Sequence, residues 1–176
     1  MTHISARRIK GRTLAAFIGL AAAAATVSGA GLASASTTGS AASSGTEHFN
    51  LMTTQPSASR YVVIASGLFT AGGIDVSGNT TDLVKLPGGS FKIHHGANVH
   101  IIKQQFNPKT CLATFKGEAA FTVSGGTGKY KRISGKGTAI ISATEIAART
   151  KAGACNMNAN PAVLEQTITA TAKVKL

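Results

Sequence analysis

The C-terminal residues 164–176 alternate strictly between the two sides of an extended chain. One side carries Leu164, Gln166, Ile168, Ala170, Ala172, Val174 and Leu176, and the other carries Glu165, Thr167, Thr169, Thr171, Lys173 and Lys175. A period of two residues is typical of a β-strand that buries one face and leaves the other in water. The chain therefore ends in a predicted strand, and the rest of the fold must supply that strand with partners.

Other segments show the same period. Phe115, Gly117, Ala119, Phe121 and Val123 alternate with Thr114, Lys116, Glu118 and Thr122. β-Branched residues and glycine-marked turns predict further strands at 60–69, 82–86, 89–95, 98–106 and 137–145, whereas 147–161 is predicted to be a long loop. So many strands must protect their edges from aggregation. The predicted fold is all-β, a closed or nearly closed antiparallel barrel of about eight strands, with a β-sandwich as the alternative.

The N-terminus has the organisation of a bacterial-type secretory signal. Arg7, Arg8, Lys10 and Arg12 precede the apolar stretch 14–27, and small residues lead to Ala33, Ser34 and Ala35. The apolar stretch is shorter than the ~20 residues of a membrane helix, so cleavage is favoured over retention as an anchor. We predict a signal peptide at 1–35, a flexible leader at 36–47, a single barrel domain at 48–176, and a secreted product with no stable membrane span.

Charge and cysteine content suit an exported protein. The formal net charge of the whole chain is +12, and the signal accounts for only four of its 18 cations. Such an excess favours polyanions such as cell-wall polymers, although solvated lysines on outer strand faces would explain it too. No specific nucleic-acid partner is predicted. Cys111 and Cys155 are the only cysteines, and an even count in an exported chain predicts that they form a disulfide.

The segment 121–130, Phe-Thr-Val-Ser-Gly-Gly-Thr-Gly-Lys-Tyr, is followed by Gly-Lys-Gly-Thr at 135–138. It resembles the signature of the dirigent and allene oxide cyclase barrel families, in which one strand enters a glycine-rich turn and the next leaves through a second glycine pair. The glycines permit positive φ and close backbone approach, and Tyr130 can fold its ring over the barrel mouth. The turn motif comprises Gly125, Gly126, Thr127, Gly128, Tyr130, Gly135 and Gly137.

The resemblance implies polar groups inside the barrel. Plant members of these families cyclise an unsaturated fatty epoxide or steer the radical coupling of phenols, whereas small exported bacterial members have no assigned activity. No active residue of these families can be matched to a position here. The acids Asp75, Asp82, Glu118, Glu145 and Glu165 show no paired spacing and are predicted to lie at the surface or in turns. The sequence therefore assigns no catalytic residue, and no cofactor is predicted.

One pair of histidines, His94 and His100, is a weak candidate for a metal site. If residues 96–98 form a hairpin turn, His94 lies across from His100 on one face, where two imidazoles could hold a metal. No third ligand accompanies them, so no metal site is predicted.

The sequence favours a non-catalytic module that binds an apolar small molecule or an extracellular polyanion. An isomerase or cyclase of the allene oxide cyclase type and a purely structural extracellular protein are the alternatives. The candidate binding surface is the basic turn, with Lys129, Tyr130, Lys131, Arg132 and Lys136. The oligomeric state is not predicted.

Overall fold

The structure, a computed structural model, describes residues 43–176. Its strands are β1 (Ser44–Thr53), β2 (Arg60–Gly67), β3 (Ala71–Val76), β4 (Thr81–Leu86), β5 (Gly89–His95), β6 (His100–Asn107), β7 (Leu112–Ser124), β8 (Ser134–Ile146), β9 (Ala148–Arg149), β10 (Cys155–Asn156) and β11 (Val163–Lys175). A 3₁₀ turn, Gly128–Tyr130, joins β7 to β8. The described residues contain no helix long and apolar enough to cross a membrane.

Eight antiparallel strands close into a barrel. β1 to β5 pair in sequence order, β5 pairs with β7, and β7, β8, β11 and β1 complete the circle. β6 is an additional strand that pairs with β7 alone. The predicted barrel is confirmed, and the sandwich is excluded. β11 closes the barrel between β8 and β1, with Leu164, Ala170, Ala172 and Val174 buried inside, as the alternation predicts.

Two strands of the barrel, β1 and β3, were not predicted from the sequence, nor were the short strands β9 and β10 within the predicted loop 147–161. The prediction of a flexible leader at 36–47 is wrong from Ser44 onward, because Ser44 to Glu47 already belong to β1 and pair with β11. Backbone hydrogen bonds to neighbouring strands hold this polar segment in place. Such hydrogen bonds cannot be recognised from amino-acid composition. The predicted signal peptide at 1–35 and the start of the leader lie outside the described residues.

The glycine-rich turn closes one end of the barrel. Tyr130 is 1% exposed, and its ring centroid lies 5.1 Å from that of Phe69 and 5.5 Å from that of Phe91. Backbone hydrogen bonds from Lys129 N–H to the Gly88 carbonyl and from Thr127 N–H to the Ser90 carbonyl attach the turn to the β4–β5 hairpin. A Cβ at Gly126 would lie 1.7 Å from the Tyr130 carbonyl oxygen, so only glycine fits there. The prediction that Tyr130 covers an end of the barrel is confirmed.

The long loop 147–161 is fastened to the barrel. Cys111 and Cys155 form the predicted disulfide across 44 residues of sequence, a bond consistent with an extracellular protein. The Arg149 guanidinium donates hydrogen bonds to the Gly153 carbonyl at 2.6 Å and to the Lys109 carbonyl at 2.7 Å. Within the loop, β9 and β10 form a short two-residue ladder.

Candidate functional site

The barrel interior holds a cavity of about 380 Å³ at the end opposite Tyr130. The cavity extends to the loops that follow β3 and β5, where it meets Ser77, Asn79 and Gly96. Most of its lining is apolar and includes Phe49, Leu51, Ile93, Val99, Ala119, Phe121, Ala139, Ile141, Ile168 and Ala170. One end of the barrel is therefore packed with aromatic rings, and the other contains open space.

A row of alanines explains this space. Ala119 on β7 aligns with Ala139 on β8, which in turn aligns with Ala170 on β11. All three line the cavity, so three adjacent strands present only methyl groups at the same level of the barrel. Longer side chains at these inward positions would fill the interior, as they do in many small barrels.

Polar side chains cluster on the inner faces of β2 to β5. Tyr61 on β2 is the direct cross-strand partner of Asp75 on β3, and Asp75 in turn aligns with Val84 on β4. Asp82, two residues before Val84, is thus the diagonal neighbour of Asp75 on the same face. Asp82 accepts a hydrogen bond from Gly78 N–H at 2.8 Å, and its carboxylate lies 3.3 Å from His95 Nε2.

Asp75 differs from Asp82 because its charge has no partner. Its side chain is 1% exposed, and its Oδ1 atom makes no hydrogen bond. Burial, followed by the negative charge of Asp82, raises the pKa of Asp75 to about 7, against the opposing effect of His95. The prediction that Asp75 is a surface or turn acid is wrong. The segment Ala71–Val76 contains two glycines and no regular apolar alternation, so its inward positions could not be recognised.

The same two acids, Asp75 and Asp82, contribute to raising the pKa values of Tyr61 and His95. Burial, followed by the charges of Asp75 and Asp82, raises the pKa of Tyr61 to about 12. The hydrogen bond with Asp82 raises the pKa of His95 against the opposing effect of burial. Tyr61, Asp82 and His95 line the cavity, whereas Glu118, Glu145 and Glu165 lie outside its lining. The surface-or-turn prediction is therefore also wrong for Asp82. None of these inner groups was singled out as a site from the sequence.

The structure contradicts the hairpin that would bring His94 and His100 together. β5 and β6 pair with successive parts of β7 and not with each other, so His94 aligns with Thr122 and His100 with Glu118. Residues 96–99 carry the chain onward along β7 instead of reversing it. His94 forms hydrogen bonds with the hydroxyls of Thr81 and Ser124, each at 3.0 Å. Across 43–176, no group of three or more His, Cys, Asp or Glu residues could hold a metal ion.

The closed end carries the predicted cations. Lys129, Lys131, Arg132 and Lys136 are exposed. Tyr130, included in the candidate binding surface, is buried against Phe69 and Phe91 and cannot meet a partner, so this part of the prediction is wrong. Lys129 Nζ lies 5.0 Å from the centroid of the Tyr130 ring.

Three further cations on the outer face of the barrel lie near the closed end. Lys92 on β5 and Lys173 and Lys175 on β11 are exposed near the same end, and Lys136 directly opposes Lys173 across the β8–β11 ladder. The ion pair of Asp82 and His95 is the only one in residues 43–176, so all these cations lack an acidic partner. We call Lys92, Lys129, Lys131, Arg132, Lys136, Lys173 and Lys175 the closed-end basic surface.

The resemblance of the glycine-rich turn to the dirigent and allene oxide cyclase families stays a prediction. No family model, curated protein or solved structure matches the chain.

Proposed function

We propose that the protein is a secreted binding protein that takes an apolar small molecule into the open end of its barrel. The row of Ala119, Ala139 and Ala170 is the observation that supports this proposal, because these short side chains leave a cavity of about 380 Å³ inside the barrel. Cavities of roughly 300–1,000 Å³ with apolar walls and a few polar groups are typical small-molecule sites. Secretion is supported by the signal-like N-terminus and by the disulfide.

A neutral amphiphile tests the proposal. We expect 4-phenylbutan-1-ol to bind the exported protein with one molecule per chain in a calorimetric titration. The chain has no Trp and only two Tyr residues, of which Tyr61 lines the cavity, so binding should also change tyrosine fluorescence. If neither heat nor a fluorescence change is seen up to the solubility limit of the alcohol, the proposed function is wrong.

A second candidate function is the binding of an extracellular polyanion at the closed-end basic surface. The direct opposition of Lys136 and Lys173 supports it, because like charges at facing positions destabilise a ladder and an anion between them would relieve the repulsion. This surface lies on the outside of the barrel and at the end remote from the cavity. The two functions are therefore separable by mutation.

Two triple variants of equal charge test polyanion binding. Changing Lys131, Arg132 and Lys173 to Gln should weaken binding of inorganic polyphosphate at least ~10-fold at low salt, since each phosphate-neutralising cation contributes through counterion release. Changing Lys103, Lys109 and Lys151 to Gln removes the same charge away from the closed end, and should weaken binding less than ~3-fold. Equal losses would assign the binding to net charge and overturn the localised surface.

A further inference from the structure

The cavity has an apolar side and a polar side. In the circle of eight strands, β4 lies four strands from β11 in either direction, so these two strands face each other across the interior. The alanine row, which is Ala119, Ala139 and Ala170, lies on β7, β8 and β11. Asp82 on β4 is the only acidic residue of the lining, which contains no Lys or Arg. A ligand that spans the cavity therefore meets methyl groups on one side and a carboxylate on the other.

The Asp82 side chain points inward and has one oxygen without a protein partner. Its cross-strand partner on β5 is Ile93, which also lines the cavity. The polar contacts of the carboxylate with Gly78 N–H, at 2.8 Å, and with His95 Nε2, at 3.3 Å, are both made by Oδ1. No residue in 43–176 donates a hydrogen bond to Oδ2. The second oxygen of this carboxylate is therefore a free acceptor.

This free oxygen is accessible from the cavity. The side chain of Asp82 is 16% exposed. Within the described part of the chain, side-chain atoms that are both buried and unpartnered occur only in Glu47, Asp75 and Tyr130, so Asp82 Oδ2 is not buried. Asp75 differs in both respects, because it is 1% exposed and lies outside the lining. Asp82 is thus the acid that a ligand in the cavity can reach.

Building on the small-molecule function proposed above, we propose that the ligand is an apolar alcohol whose hydroxyl donates a hydrogen bond to Asp82 Oδ2 while its apolar part packs against the alanine row. A hydroxyl supplies the missing donor, and a hydrogen bond to a charged acceptor is roughly twice as strong as a neutral one. A ligand carboxylate would be repelled by Asp82. A ligand ammonium would approach the imidazole of His95, which already places positive charge beside this carboxylate when it is protonated.

Displacement of water makes the hydroxyl necessary. An ionised carboxylate oxygen that faces open space is hydrated, and a ligand that fills the cavity removes this water. A ligand that reproduces the lost hydrogen bond keeps its affinity, whereas one that cannot donate leaves Asp82 Oδ2 desolvated and loses affinity. The cavity should therefore discriminate between an alcohol and an ether of the same size.

The test compares two alcohols with one ether. 1-Methoxy-4-phenylbutane keeps the phenyl group and the oxygen of 4-phenylbutan-1-ol but cannot donate a hydrogen bond. 5-Phenylpentan-1-ol is an isomer of this ether and controls for its additional carbon. At about pH 7, calorimetric titration should show that both alcohols bind at least ~10-fold more tightly than the ether, because the hydrogen bond is made to a charged group.

Two variants locate the acceptor. Asp82→Asn keeps the shape of the side chain, and its amide oxygen can accept the Gly78 N–H, which leaves the amide nitrogen as a donor towards the cavity. The preference for the alcohols should fall below ~3-fold. Glu165→Gln removes an acid from an exposed position outside the cavity and should leave the preference unchanged.

A measurement on the unaltered protein covers the case in which Asp82→Asn does not fold. In carbon-13-labelled protein, the carboxyl resonance of Asp82 should shift when 5-phenylpentan-1-ol binds and should shift less when the ether binds. The carboxyl resonance of Glu165 should respond to neither compound. Equal shifts of the Asp82 resonance with alcohol and ether would contradict the hydrogen bond.

The outcomes separate this proposal from the one on which it rests. Binding of the ether as tight as that of its isomeric alcohol would overturn the alcohol assignment and leave the small-molecule function standing. A preference for the alcohols that survives Asp82→Asn would overturn Asp82 as the acceptor. Failure of all three compounds to bind would overturn the small-molecule function, and the alcohol assignment with it.

Discussion

Replacing Ala139 with Leu is expected to abolish binding of 4-phenylbutan-1-ol, with a loss of at least ~100-fold in affinity. Ala139 lies at the centre of the alanine row and lines the cavity, so the three added carbon atoms of Leu project into the space that the ligand would occupy. The fold should tolerate the change, because filling an existing cavity commonly stabilises a protein by about 0.5–2 kcal/mol. Calorimetric titration and a thermal melt measure the two effects separately.

Ala162→Leu is the matched control, since it adds the same atoms at an exposed loop position outside the cavity. This variant should bind the alcohol as the unaltered protein does. Binding by Ala139→Leu within ~3-fold of the unaltered protein would show that the alcohol binds somewhere other than the cavity.

Removal of the disulfide should destabilise the fold by about 4 kcal/mol in the loop-entropy model, given the separation of 44 residues. For a domain of this size that loss corresponds to a fall in Tm of roughly 15 °C. The barrel ladders do not involve the Cys155 segment, so the far-ultraviolet circular dichroism of the folded variant should remain that of a β-protein. Thermal unfolding of Cys111→Ser, Cys155→Ser and the double variant measures the effect.

The three cysteine variants should lose similar stability, because each removes the same single bond. Additive losses would instead assign the stability to independent packing of the two side chains. Two free thiols in the denatured, exported protein would show that the bond does not form at all.

Most of the barrel was predictable because its strands alternate regularly. The predicted bounds of β5 match the structure, and the C-terminal alternation identified both the buried face of β11 and its role in closing the barrel. β1 and β3 could not be predicted, and the reasons are physical. The start of β1 is polar, and β3 combines Gly72 and Gly73 with a buried acid, so neither segment shows the period on which strand prediction depends.

The cavity was not predictable, although its residues were visible in the sequence. Ala119 and Ala170 both occupy predicted inward positions, but only the register of β7, β8 and β11 reveals that they flank Ala139 at one level. Asp75 presents a similar difficulty. Its proximity to Tyr61 and Asp82 depends on the pairing of β2, β3 and β4, which residue spacing does not determine.

The position of the bound alcohol tests the central claim, that the barrel interior is the binding site, most directly. Intermolecular nuclear Overhauser effects should connect the phenyl protons of 4-phenylbutan-1-ol with the methyl groups of Ala139, Ala170 and Ile168. The competing apolar site is the outer wall, where Val62 is 56% and Ile64 55% exposed. Contacts with the alanine row are the predicted result, and contacts confined to Val62 and Ile64 would contradict the account.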